Sequence, residues 1–168
     1  MTISMYQASI PVFVRALANL SSVLKKGEAH AKAKGVEPDN LLQQRLIFDM
    51  LPLIKQIQIA CDTVARGAAR LAGVEPKPFE DNEKTLAEAY KRIDAAIAYA
   101  KSFKPDQIDG SEDRKVVMKT RHAEVEYTGL AYLTEYSLPN LFFHCATAYD
   151  ILRVAGTQIG KKDFLGER

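Results

Sequence analysis

Residues 137–156, SLPNLFFHCATAYDILRVAG, carry the start and stop signals of a single helix. The Ser137 hydroxyl is placed to accept a bond from an orphan amide of the first turn, and Pro139 just inside the start gives up no hydrogen bond there. Gly156 closes the stretch, because glycine enters the left-handed C′ conformation without a Cβ penalty. At about 100° per residue, Leu141, Phe142, Cys145, Ala148, Tyr149 and Leu152 share one face, and Asn140, Thr147, Asp150 and Arg153 share the other. His144 falls on the shoulder between them.

Three upstream stretches repeat the pattern. Over 4–34, Ile10, Phe13, Val14, Leu17, Leu20 and Leu24 recur at helical spacing until Gly35. Pro11 inside this run predicts either a start near Ser9 or a kink. A second stretch, capped by Asp39 or Asn40, carries an apolar stripe from Leu41 through Leu46, Met50, Ile54 and Ile57 to Leu71 and stops at Gly73; Pro52 predicts a bend or restart near Asp49. Gln58 and Asp62, one turn apart, lie on the shoulder of this stripe, and Arg66 and Arg70 point outward. Asn82 is the predicted cap of a third helix that turns Leu86, Tyr90, Ile93, Ile97 and Ala100 inward and ends at Phe103.

KPDQIDGSED then reads as a loop, and the β-branched runs KVVMKT and EVEYTG, separated by Arg121, His122 and Ala123, predict a small hairpin lying on the bundle. Thr128 is the alternative start of the last helical stretch, with a break at Leu138-Pro139. The tail TQIGKKDFLGER mixes Ile159, Phe164 and Leu165 with polar residues and is expected to pack back. Four amphipathic helices make the fold class all-α, a four-helix bundle with one domain over 1–168.

Of the 168 residues, 47% are apolar and 26% charged, an ordinary globular balance. Lysine and arginine exceed aspartate and glutamate by 23 − 21 = 2 and are scattered, which argues against nucleic acid as a partner. No apolar run approaches the roughly 20 residues of a membrane span, and the first residues lack a signal-peptide pattern, so a cytoplasmic protein without membrane contact is expected. Cys61 and Cys145 stand on apolar stripes and read as buried free thiols rather than as a disulfide or reactive groups. Gly-rich phosphate loops, Ser/His/Asp orders and CxxC pairs are absent.

The candidate site is an inter-helix cleft flanked by Gln58, Asp62 and His144. In one reading His144 is a ligand or general base oriented by Asp62, or by Gln58 through its amide. In the other it is a shoulder histidine whose polar atoms are satisfied by Asp62, Gln58 or a backbone carbonyl. Phe143, toward the polar side of its helix, predicts a subunit contact.

Three segments, LPNLFFHCATAYDILR, the following IGKKDFLG and the earlier DMLPLIKQIQIACDTVARGAARLAG, resemble an uncharacterised family, a domain of unknown function, of the DinB/YfiT-like metalloenzyme superfamily. The resemblance spans nearly the whole chain. It implies a DinB-like bundle and a homodimer built through helix faces; characterised members include metal-dependent thiol transferases that use low-molecular-weight thiols. The superfamily metal site is similar to one histidine from helix two plus an H-x3-H pair from helix four. His144 corresponds to the first of that pair, Ala148 stands one turn later, and helix two offers Gln56, Gln58 and Asp62 but no histidine. Two of three histidines are thus missing, which implies no bound metal and no cofactor. The expected function is a small-molecule-binding or interaction module that has lost the metal site. The alternative is a divalent-metal-dependent hydrolase or thiol transferase using His144 with Asp62, so the reading leaves open whether the protein is an enzyme.

Overall fold

Ser4 and Gln7 start the first helix by exchanging caps: the Ser4 hydroxyl accepts from the Gln7 amide at 3.3 Å and the Gln7 side chain accepts from the Ser4 amide at 3.2 Å. Helix α1 (Met5–Ala33) then runs through Pro11, so Ser9 is not its start. The structure, a computed structural model, describes residues 3–119 and 123–166.

The second stretch departs from expectation. A 3₁₀ helix over Pro38–Gln43 is followed by an irregular segment with a turn at 47–50, and α2 (Leu53–Ala72) begins only after Pro52. Proline has no amide to donate and pushes its predecessor out of the helical region, so Pro52 opens the helix instead of bending it. Leu46 consequently leaves the predicted stripe, and Ile47, Phe48 and Leu51 beside it are exposed as well, Phe48 at 86%. Gly73, at φ +72°, ends α2 in the left-handed region.

The third helix, α3 (Leu86–Lys101), is capped by Thr85 through a capping box with Glu88, not by Asn82. Only Thr85 has an acidic side chain three residues on that can return the bond. Within the predicted loop Pro105–Ile108 forms a short turn, α4, that buries Ile108. The hairpin is present: β1 (Lys115–Lys119) and β2 (Glu124–Thr128) pair antiparallel with Val117 opposite Glu126, and Val116 and Met118 are buried. Arg121 and His122 of its predicted turn lie outside the described residues.

Thr128, not Ser137, caps the last helical stretch, its hydroxyl accepting from the Ala131 amide at 3.3 Å. One turn, α5 (Gly129–Ala131), leads into a π-helical run, Tyr132–Ser137, and on without interruption into α6 (Leu138–Val154). Ser137 therefore has helical angles, and its hydroxyl is buried without a partner. Pro139 offers no amide to the Glu135 carbonyl, and the change of hydrogen-bond register falls just ahead of it. The tail packs back as expected: Ile159 is buried, and α7 (Lys161–Leu165) lies against α1.

Helices α1 and α2 each pack against both α3 and α6, which sets a four-helix bundle in the order α1, α3, α2, α6. Phe13, Leu17, Ile57, Ile93, Leu133 and Ile151 are among the fully buried side chains of its core.

Candidate functional site

Helical geometry decides which polar side chains of α2 can meet. Gln58 and Asp62 are four residues apart and share a face, whereas Gln56 points about 160° away from Gln58. Helix α6 covers the Gln56 side. His144 Nδ1 lies 2.7 Å from the Gln56 side-chain oxygen, and Asn140 donates to the Thr63 hydroxyl at 2.8 Å. The partner of His144 is therefore Gln56, not the expected Asp62, Gln58 or backbone carbonyl. The Gln56 amide nitrogen donates to the Leu51 carbonyl at 2.9 Å, which turns the amide oxygen toward the imidazole and makes His144 Nδ1 the donor. Burial lowers the His144 pKa, so the ring is a neutral, tautomer-fixed imidazole.

Gln58 and Asp62 face α3 instead. There Arg92, its side chain only 2% exposed, donates to Asp62 at 2.5 Å, to Glu83 at 3.0 Å, to Asp81 at 3.2 Å and to the Glu80 carbonyl at 2.7 Å. Gln58 donates to the second Glu83 oxygen at 2.7 Å. The second Asp62 oxygen pairs with Arg66 at 2.9 Å. Both oxygens of Asp62 are thus committed to guanidinium groups, and the residue shares no hydrogen bond with His144. This cluster fastens the connection between α2 and α3 to the bundle.

A superfamily-type metal site does not fit these side chains. His144 keeps only Nε2 for an ion, Ala148 has no donor atom, and Asp62 is held in another network, so the second and third ligands are missing. Among the described residues, no three histidine, cysteine, aspartate or glutamate side chains are grouped to hold an ion. Cys61 and Cys145 are free and buried, and burial pushes the Cys145 thiol up to about 12 and the Cys61 thiol upward as well.

A separate cleft lies between α1, α6 and α7, with a volume of about 750 Å³. Ala16, Leu20 and Val23 of α1, Phe142 and Cys145 of α6 and Phe164 of α7 line it, together with Arg15 and Lys162. Phe142, expected inside, is 41% exposed because it walls this opening. Helix α7 is held over α1 by the Lys26–Asp163 ion pair and by donation from Asn19 to the Phe164 carbonyl and from Arg15 to the Leu165 carbonyl, both at 3.1 Å.

The family model of a domain of unknown function, DUF1993, matches residues 5–165. The chain belongs to the DUF1993 family. A crystal structure of a DinB family member protein from Shewanella denitrificans superimposes on this DUF1993 chain with a TM-score of 0.88 at 37% identity, covering 97% of this chain and 92% of that one. No curated protein matches it. The DinB-like bundle implied by the sequence motifs is the fold observed.

Sequence reasoning missed two features of this DUF1993 protein. Arg92 carried a usable signal, since at about 100° per residue it falls about 40° from Ala96, at the edge of the arc set by Ala89, Ile93 and Ala96, where an arginine needs partners. The cleft carried none, because its walls come from elements about 120 residues apart whose docking no local pattern encodes.

Proposed function

We propose that this DUF1993 protein is a small-molecule-binding module without a superfamily metal site, and that the α1–α6–α7 cleft takes an amphipathic ligand with an apolar body and an acidic head. The supporting observation is the coincidence of apolar walls with Arg15 and Lys162 in one cleft of about 750 Å³, within the size range of small-molecule pockets. Lys162 has no carboxylate partner among the described residues, so its charge is available to a ligand acid. Dodecanoate is the probe. Calorimetry should find one site, lost in Ala16→Phe, which fills the cleft, and weakened about tenfold in Lys162→Gln, the size of one charged hydrogen bond. Dodecanoate that fails to bind, or binds Ala16→Phe equally well, overturns the reading.

A second reading, assembly into a homodimer, is favoured by Phe143, 57% exposed on α6 beside the wall residue Phe142. Sedimentation should show a dimer that Phe143→Glu converts to monomer; a monomeric wild type excludes it.

A further inference from the structure

A second pocket, of about 190 Å³, opens between the C-terminal half of α2 and the π-helical run. Arg66, Arg70, Asp62, Asn140, Tyr132 and Tyr136 are among its walls. Several features set it apart from an incidental surface dent. Arg66 and Arg70 are one turn apart and point the same way. Arg70 donates to the Tyr132 hydroxyl at 3.1 Å and its guanidinium lies 5.5 Å from that ring, which fixes its position while using one of its five N–H groups. Tyr132 and Tyr136, four residues apart in the π-helical run, stack at 5.8 Å between ring centroids.

The hydrogen-bonding capacity left over is that of an anion receptor. Arg66 spends one nitrogen on Asp62, and among the described residues Tyr136 makes no hydrogen bond through its hydroxyl, while Asn140 uses its amide nitrogen on Thr63 and adds no donor. Both oxygens of Asp62 are held by guanidinium groups, one by Arg92 at 2.5 Å and the other by Arg66 at 2.9 Å, which reduces its repulsion of an anion here. Two guanidinium groups and a phenol hydroxyl then face a small concave space with donors unspent, and forked guanidinium donors match the paired oxygens of carboxylates and phosphates.

We propose that this pocket binds a small molecule bearing an oxyanion, its carboxylate or phosphate held by Arg66 and Arg70 with the Tyr136 hydroxyl as third donor. The site is separate from the α1–α6–α7 cleft and stands or falls without it.

The test is calorimetric titration with inorganic phosphate and, separately, succinate, on the wild type and on Arg66→Gln, Arg70→Gln and Tyr136→Phe. Arg66 is exposed, so its variant keeps the fold, and circular dichroism checks the other two. Saturable binding at one site is expected, weakened about tenfold by either arginine substitution and severalfold by Tyr136→Phe, and unchanged in Lys162→Gln of the other cleft. Binding of phosphate alone assigns a phosphoryl group, of succinate alone a carboxylate, and of both their shared oxyanion chemistry. Neither probe binding at millimolar concentration, or binding insensitive to Arg66→Gln, overturns the proposal.

Discussion

His144 Nδ1 lies 2.7 Å from the side-chain oxygen of Gln56, and Gln56 in turn donates to the Leu51 carbonyl. The relay ties the middle of α6 to the chain just ahead of α2 and leaves the imidazole neutral. Farther along the same interface Asn140 meets Thr63 and Ser137 meets Gly67, so α6 runs antiparallel to α2 with polar or small residues at each close approach.

The neutral state of His144 predicts how stability varies with pH. Its pKa is lowered in the fold by burial, against about 6.5 in the unfolded chain. Below that value the unfolded chain binds a proton that the folded protein resists, so the contribution is full above about pH 6.5 and is lost as pH falls through the lowered folded value. Denaturant midpoints measured from neutral pH to about pH 5 should fall more steeply for the wild type than for His144→Gln. Parallel pH profiles would show that the ring takes up its proton without resistance.

The helical faces were legible in the sequence, but their mutual rotation was not. The spacing of Gln58 and Asp62 put them on one face, and both do share one; that this face looks at α3 and not at His144 depends on how α2 is turned about its axis. Periodicity also assumes 3.6 residues per turn, so it cannot anticipate the π-helical run that carries the chain through Ser137 in helical conformation. Where two caps were chemically adequate, as with Asn82 and Thr85, the reciprocal partner decided, and Glu88 gives it to Thr85.

Arg92 predicts a large stability effect. Its side chain is 2% exposed while its partners Asp62 and Glu83 are 19% and 9% exposed, so Arg92→Met leaves carboxylates without compensation in a largely dehydrated site. The expected loss is about 3–5 kcal/mol in denaturant unfolding, with faster proteolysis in the 74–84 connection. Arg92→Lys should recover little, since one ammonium cannot serve Asp62, Glu83 and the Glu80 carbonyl together. By contrast Lys55→Ala, which removes an exposed pair with Asp81, should cost less than about 1 kcal/mol. Equal losses from Arg92→Met and Lys55→Ala would contradict the burial argument.

Gly67 marks the closest approach of α2 to the start of α6. A Cβ there would lie 2.8 Å from the Ser137 hydroxyl and 3.0 Å from the Phe13 ring, so Gly67→Ala should cost about 1–3 kcal/mol through overpacking. Ser137→Ala should be neutral or stabilising, because the hydroxyl it removes is buried and unpartnered. Combining the two should recover part of the Gly67→Ala loss. Thermal melts of the three variants decide this, and strict additivity would mean that the two side chains do not meet.

The thiols report on the cleft. A thiol pushed up to about 12 carries, near pH 8, roughly a thousandfold less thiolate than an ordinary cysteine, and the thiolate is the reactive form. Cys145 and Cys61 should therefore resist a disulfide reagent in the native protein and both react after denaturation. Cys145 alone lines the cleft, so loosening α7 should expose it first. Asp163→Ala removes the carboxylate that pairs with Lys26 and that accepts from the Gly160 amide at 2.7 Å at the start of α7. In that variant Cys145 should become reactive in the native state while Cys61, fully buried in the core, stays protected. Labelling read by peptide mass spectrometry distinguishes the two positions. Equal labelling of both would mean that reaction proceeds through global unfolding and that α7 is not a separately opening wall.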